Sequence, residues 1–206
     1  MAPRGHPWIA LSVAVAAIST AAVLVRLAPG VEPIAAALWR TLAVGLLLAP
    51  GVLRFRRAGG SLSQRDLILT ALAGLILGLH FWVWFESINR TTVLRSTLLV
   101  CLTPIWAGLM EWLWLRSPPR PRFWAGIGIT LVGVTLMTGA DAGQASAEGD
   151  LLAILGGVLA AAYLLVGRVV RARVDIDAYG AFLCLSCAAW LMIPASILGV
   201  PLLGFS

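Results

Sequence analysis

Apolar stretches long enough to cross a lipid bilayer recur along almost the whole 206-residue chain. A hydrocarbon core of about 30 Å needs roughly 20 apolar residues in a helix. Seven segments meet that requirement, at about residues 8–27, 33–53, 67–88, 91–115, 122–140, 150–170 and 178–199. Backbone polar groups in lipid must be satisfied within their own segment, so each segment is predicted to be a helix. The sequence therefore predicts an all-α, polytopic integral membrane helix bundle with about seven transmembrane helices.

The composition excludes an ordinary soluble domain. Hydrophobic residues make up 60% of the chain and charged residues 12%, against about 45–50% and 25% in soluble domains. All 15 basic residues are arginine, and most of them lie in short clusters between the apolar segments. Such clusters are typical of membrane anchors rather than of a nucleic-acid surface. The expected partners are a lipid bilayer and no nucleic acid.

The placement of arginine predicts the orientation. Three joints between helices are rich in arginine: Arg54, Arg56, Arg57 and Arg65 in the second, Arg116, Arg120 and Arg122 in the fourth, and Arg168, Arg171 and Arg173 in the sixth. The odd joints are poor in arginine, and the fifth is acidic, with Asp141, Glu148 and Asp150. By the positive-inside rule the even joints and Arg4 are cytoplasmic. We expect a multi-pass protein of the inner (plasma) membrane with a cytoplasmic N-terminus.

Small residues at four-residue spacing predict close helix contacts, because they let two backbones approach in lipid. They are found on three helices: Gly74 and Gly78, then Gly126, Thr130 and Gly133, then Ala153, Gly157 and Ala161.

The sixth predicted helix resembles the first. Residues 161–168 are similar to residues 21–26, and the helix after each copy carries a proline near its end, Pro50 and Pro194. A repeat of five helices is odd in number, so its two copies must be inverted in the membrane. This indicates an inverted five-helix repeat with an incomplete second copy.

Several motifs, in their order and spacing, resemble EamA-type transporters of the drug/metabolite transporter superfamily. Ala37–Leu42 resembles the arginine motif of the second helix of that family, His80–Ile88 (HFWVWFESI) its third-helix pattern, and Leu99–Trp106 its fourth helix. The resemblance implies a secondary transporter, an exporter, that moves small metabolites or drugs by alternating access. It divides the chain into a first repeat, 1–145, and the start of a second, 146–206. We expect the first five helices to pack as one unit.

The chain departs from that family in two ways. Ser117 stands where members commonly have a glutamate, and members have ten helices whereas this sequence stops before an eighth. An incomplete, non-transporting fragment or an assembly subunit is therefore an alternative. A membrane-embedded lipid enzyme is a weaker one, because the two histidines, His6 and His80, are far apart and no metal-binding motif is present. We expect no enzyme activity, no cofactor and no metal.

Ionisable residues at membrane depth cost roughly 2.5–3.5 kcal/mol on insertion scales and are candidate functional sites. Arg40 lies about 10 Å into the second helix at 1.5 Å per residue. It is either a contact for an anionic or carboxylated solute or a snorkelling or paired structural residue. His80, Trp84, Trp39 and Tyr163 are the other candidates for binding a small-molecule solute, with buried packing as the alternative for each.

Two further charges lie near the predicted outer ends of the third and fourth helices. Glu86 and Arg95 are expected to form a mutual ion pair, with an extracellular gate as the alternative. Glu111 is expected to reach the inner interface beside Arg116. A homodimer is a further expectation for the assembly.

Overall fold

The computed structural model describes residues 7–28, 30–140 and 146–203. These ranges contain eight helices and no strand: α1 Pro7–Arg26, α2 Pro33–Arg57, α3 Gln64–Arg90, α4 Val93–Val100, α5 Thr103–Leu115, α6 Pro121–Ala140, α7 Ala147–Val170 and α8 Ile176–Ile197. Six spans, one of them Val93–Trp114 from α4 and α5 together, are long and apolar enough to cross a membrane. A shorter apolar stretch, Leu11–Arg26, belongs to α1. The predicted all-α membrane bundle is confirmed.

The fourth predicted span is broken in its middle. Pro104 has no N–H, so the carbonyl of Val100 lacks the amide donor that a continuous helix would supply. This carbonyl instead accepts a hydrogen bond from the hydroxyl of Thr103 at 2.7 Å. Cys101 and Leu102 form the turn between α4 and α5. The single helix expected over 91–115 is therefore two shorter helices in line.

The centre of the bundle is built from four helices. α3 packs against both α7 and α8, and α2 packs against α8. α1 makes few contacts, with α3 and α4, and α6 makes few contacts with α4. The prediction that the first five helices pack as one unit is wrong, since the main partners of α2 and α3 lie in the later part of the chain.

Small residues explain why these helices approach so closely. A Cβ added at Gly74 would lie 2.6 Å from the Ser186 hydroxyl oxygen and 2.9 Å from the backbone nitrogen of Cys187, on α8. A Cβ at Gly157 of α7 would lie 3.2 Å from the carbonyl oxygen of Val100. The close contacts predicted for these two helices are confirmed.

The third predicted small-residue face behaves differently. Gly126 and Gly133 on α6 have open space where a Cβ would lie, as far as the described residues show. Thr130 is exposed and bonds only back to its own helix, at the carbonyl of Gly126. The predicted close contact of this face is therefore wrong in this structure.

Ion pairs fasten both ends of the bundle. Five of the six ion pairs in the described ranges join residues 30–140 to residues 146–203: Arg54–Asp177, Asp66–Arg173, Glu111–Arg168, Arg90–Glu148 and Arg95–Asp150. The first three lie at the end that holds the arginine-rich joints and the last two at the opposite end, in agreement with the predicted alternation of the joints. Arg4 and Asp141, which supported the predicted orientation, lie outside the described residues.

Candidate functional site

Arg40 is half-buried in α2 and faces the interior of the bundle. Its guanidinium carbon lies 4.7 Å from the ring centroid of Phe81 on α3, an arrangement that stabilises a cation by about 0.5–2 kcal/mol. The ring does not satisfy the N–H groups, and Nη1 is buried without a hydrogen-bond partner in the described parts of the chain. Tyr163 of α7 and Cys184 of α8 lie within its electrostatic range. Arg40 therefore keeps unused donor capacity inside the bundle.

His80 is a buried residue of α3 that also contacts α7. Its Nδ1 lies 2.8 Å from the carbonyl oxygen of Gly156. A carbonyl can only accept, so Nδ1 carries the proton and, in the neutral ring, Nε2 is left as an acceptor. The ring lies 6.2 Å from that of Tyr163 between centroids, and Arg40 is within its electrostatic range. The structure thus brings three of the predicted site residues together.

The two predicted tryptophans differ in position. Trp84 is buried, stacks on His80 with a centroid separation of 5.9 Å, and has an Nε1 with no partner among the residues described. Trp39 is 40% exposed and donates its Nε1–H to the carbonyl of Leu202 at 2.8 Å. Trp84 belongs to the cluster around His80, whereas Trp39 holds the segment that follows α8.

Two residues that contact these side chains were not among the predicted site residues. Cys184 lies within electrostatic range of Arg40 and Tyr163. Phe81 was part of the third-helix motif, but nothing in the motif indicated that its ring lies under Arg40. Both contacts depend on how the helices pack, which hydropathy does not predict. We call Arg40, His80, Tyr163 and Cys184, one residue from each central helix, the four-helix cluster.

The predicted pairing of Glu86 with Arg95 is wrong. Glu86 pairs with Arg90 one turn further along α3, at 3.3 Å. The Nε of Arg95 lies 3.1 Å from Oδ1 of Asp150 on α7, and its Nη1 donates to the carbonyl of Thr138 at 2.8 Å. Glu111 likewise pairs with Arg168 of α7, a partner that the sequence did not indicate. The pairs of Arg95 with Asp150 and of Arg168 with Glu111 depend on how α7 packs against α4 and α5, whereas the pair of Glu86 with Arg90 lies within one helix.

A buried hydroxyl pair joins the end of α3 to α4 and to the start of α7. The Oγ of Ser87 lies 2.9 Å from Oγ of Ser96 and 2.7 Å from the carbonyl oxygen of Gly149. Both serines are fully buried. A Cβ at Gly149 would lie 2.7 Å from Cβ of Thr91, so only glycine lets the start of α7 reach the joint between α3 and α4.

No group of three or more His, Cys, Asp or Glu residues that could hold a metal ion occurs in the ranges 7–28, 30–140 and 146–203. The polar side chains are instead spread one to a helix inside an apolar bundle. These features describe a polytopic membrane protein with a polar cluster between its central helices.

The chain matches the family model of the EamA-like transporter family over residues 3–139, which is more than half of its length. It belongs to the EamA-like transporter family. Comparisons with the curated proteins and with the solved structures gave no match. The expected family is confirmed, and the helices long enough to span a membrane agree with a membrane transporter of the drug/metabolite transporter kind.

Proposed function

We propose that this protein is a secondary transporter that exports small metabolites or drugs by alternating access, with its solute site at the four-helix cluster. Membership of a transporter family supports transport rather than catalysis. The export direction is inferred from the drug/metabolite exporters that the sequence resembles. In transporters built from inverted repeats, the solute lies near the membrane midplane between the repeats, and α7 and α8 belong to the proposed second repeat, 146–206.

The observation that carries the proposed site is the unsatisfied Nη1 of Arg40. A guanidinium at membrane depth needs water, a partner or a solute to offset its cost. Phe81 covers one face of the group, and no ion pair to Arg40 occurs within the described ranges. A solute with an acceptor group would satisfy the free donor while it contacts Tyr163, His80 and Trp84.

The ion pairs at the outer end suggest how the site closes. Arg95–Asp150 and Arg90–Glu148 both connect the proposed first repeat to α7, and Glu86 shares Arg90. We assign Glu86 and Arg95 to an outer closure whose pairs must separate when the outer side opens. The α3–α4 joint and the start of α7, which these ion pairs connect, would then be the parts that move apart.

Flux measurements on Arg40 variants test this function. The protein is expressed from its complete natural reading frame, and export of labelled organic acids, amino acids and amines is followed. Arg40→Gln should abolish saturable flux, and Arg40→Lys should reduce it, because lysine keeps the charge but loses the planar fork. Arg57→Gln, an exposed change at the end of the same helix, is the matched control. Unchanged flux in Arg40→Gln would reject the site, and no saturable flux of any solute class would reject the transporter.

We also propose that the protein lies in the inner (plasma) membrane with its N-terminus in the cytoplasm, and this orientation has its own test. Single cysteines at Gly60, Ser146 and Ala172, in a background without native cysteines, should react with an impermeant reagent only at position 146 in intact cells. Reaction at position 60 or 172 would overturn a cytoplasmic N-terminus. The expected homodimer stays a prediction, to be checked by cross-linking in the membrane.

A further inference from the structure

A crevice of about 340 Å³ opens beside Arg40, between α1 and the α2–α3 pair. Small-molecule sites have volumes of about 300–1,000 Å³. All of its other lining side chains are apolar: Ala17, Ala21, Leu24, Val25, Ala36 and Phe85. The crevice therefore combines one fixed positive charge with an apolar wall.

The charge of Arg40 is not balanced by a carboxylate. Of the eight acidic residues in the described ranges, six pair with other arginines: Asp66, Glu86, Glu111, Glu148, Asp150 and Asp177. The remaining two, Glu32 and Asp175, are the N-cap residues of α2 and α8. Among the described residues, no acidic side chain lines the crevice. A bound cation would therefore face a guanidinium and find no carboxylate to accept it.

We propose that the crevice binds organic monoanions, a carboxylate on an apolar or aromatic body, and discriminates against zwitterions and cations. The inference rests on the proposed function in treating Arg40 as a solute contact, and it goes further by naming the solute class. It concerns the α1 side of Arg40, which His80, Tyr163 and Cys184 do not line. The carboxylate accepts from the guanidinium edge, since Phe81 covers a face of that group. The body of the solute packs on the alanines of α1 and on Phe85. An added ammonium would lose its water without gaining an acceptor, which is costly in an apolar site.

A matched ligand series separates these classes. Equilibrium binding is measured with the 206-residue chain in nanodiscs of neutral phosphatidylcholine. 3-Phenylpropionate is phenylalanine without its ammonium group, phenethylamine is the corresponding cation, and 3-phenylpropan-1-ol is a neutral analogue. 3-Phenylpropionate should bind at least about tenfold more tightly than each of the other three, the effect of one charge-assisted hydrogen-bonded pair.

Variants place the binding in the crevice. Arg40→Gln should remove the preference for the anion, and Arg57→Gln should bind as the natural chain does. Ala36→Leu keeps Arg40 but fills the crevice, so it should weaken 3-phenylpropionate binding about tenfold. Thermal unfolding of each variant shows that it is folded. Because Ala36→Leu leaves the charge in place, the test holds even where Arg40→Gln does not fold.

The outcomes separate this inference from the proposed function. Equal affinity for phenylalanine and 3-phenylpropionate would overturn the solute class and leave the transport proposal standing. Selective anion binding without any flux would keep this site and reject transport. Loss of 3-phenylpropionate binding in nanodiscs that contain phosphatidylglycerol, compared with phosphatidylcholine nanodiscs at the same high salt, would assign the crevice to an anionic lipid headgroup and overturn the inference. Unchanged affinity in those discs supports a free solute.

Discussion

α8 and α6 are both apolar enough to cross a membrane, but they hold opposite positions in the bundle. α8 packs against α2 and α3, and Cys187 and Leu191 on it are almost completely buried. α6 makes few contacts, with α4 and, at its start, with α5 through Trp124 and Trp112, and its Ile129 and Leu136 are 76% and 70% exposed. In lipid, apolar residues gain little from leaving one apolar environment for another, so hydropathy places a helix in the membrane without choosing its partners. Close backbone contact and paired charges make that choice.

The largest expected difference between these regions concerns glycine. Gly74→Leu should destabilise the protein by about 3 kcal/mol, because the new side chain meets the α8 backbone and cannot be accommodated without a shift. Gly126→Leu on α6 should change stability by less than about 0.5 kcal/mol, since it points into open space. Unfolding in mixed micelles measures both. Equal effects would mean that α6 is packed as tightly as α3.

The second difference concerns how well two ion pairs between helices, Arg95–Asp150 and Arg54–Asp177, are shielded from water. The side chains of Arg95 and Asp150 are 13% and 19% exposed, whereas those of Arg54 and Asp177 are 71% and 40% exposed. Double-mutant cycles with Gln and Asn should give a coupling of about 2 kcal/mol for the shielded pair. The exposed pair should give below about 1 kcal/mol. A larger coupling for Arg54–Asp177 would contradict the expectation that the shielded pair of Arg95 and Asp150 contributes more.

A smaller effect is expected at a buried hydroxyl. Ser87→Ala removes the hydrogen bonds to Ser96 and to the Gly149 carbonyl and should cost about 1 kcal/mol. Thr130→Ala on α6 removes only a bond within its own helix, so its effect should be within about 0.5 kcal/mol of zero. The same unfolding assay applies to both changes. A Thr130→Ala effect as large as that of Ser87→Ala would indicate that α6 is buried.

The sequence predicted the features that depend on local pattern. Runs of apolar residues indicated the spans, and arginine placement indicated which joints share an end of the bundle. Gly74 and Gly157 indicated close contacts because each has another small residue four positions away on its own helix, Gly78 for Gly74 and Ala161 for Gly157. Pro104 was visible as a helix breaker, yet the apolar run around it hid the break between α4 and α5.

The features that sequence could not predict depend on contacts between distant segments. Arg95 pairs with Asp150, 55 positions further along the chain, and no local pattern indicated that partner, although Arg90 lies four residues after Glu86 on the same helix. Gly126 has the same spacing as Gly74 but faces open space, because a small residue permits a contact without requiring one. Cys184 lies near Arg40 only because α8 packs against α2, and the sequence did not predict that packing.

Protection of Cys184 from alkylation tests most directly whether the four-helix cluster binds a solute. With Cys101 and Cys187 replaced by alanine, Cys184 is the only thiol, and its reaction with a membrane-permeant maleimide is timed with and without a solute whose saturable export depends on Arg40. A single cysteine at position 126 of α6 is the control. We expect the solute to slow the reaction at Cys184, to lose that effect in Arg40→Gln, and to leave position 126 unchanged. An unaltered rate at Cys184, or equal slowing at position 126, would contradict a solute site between the central helices.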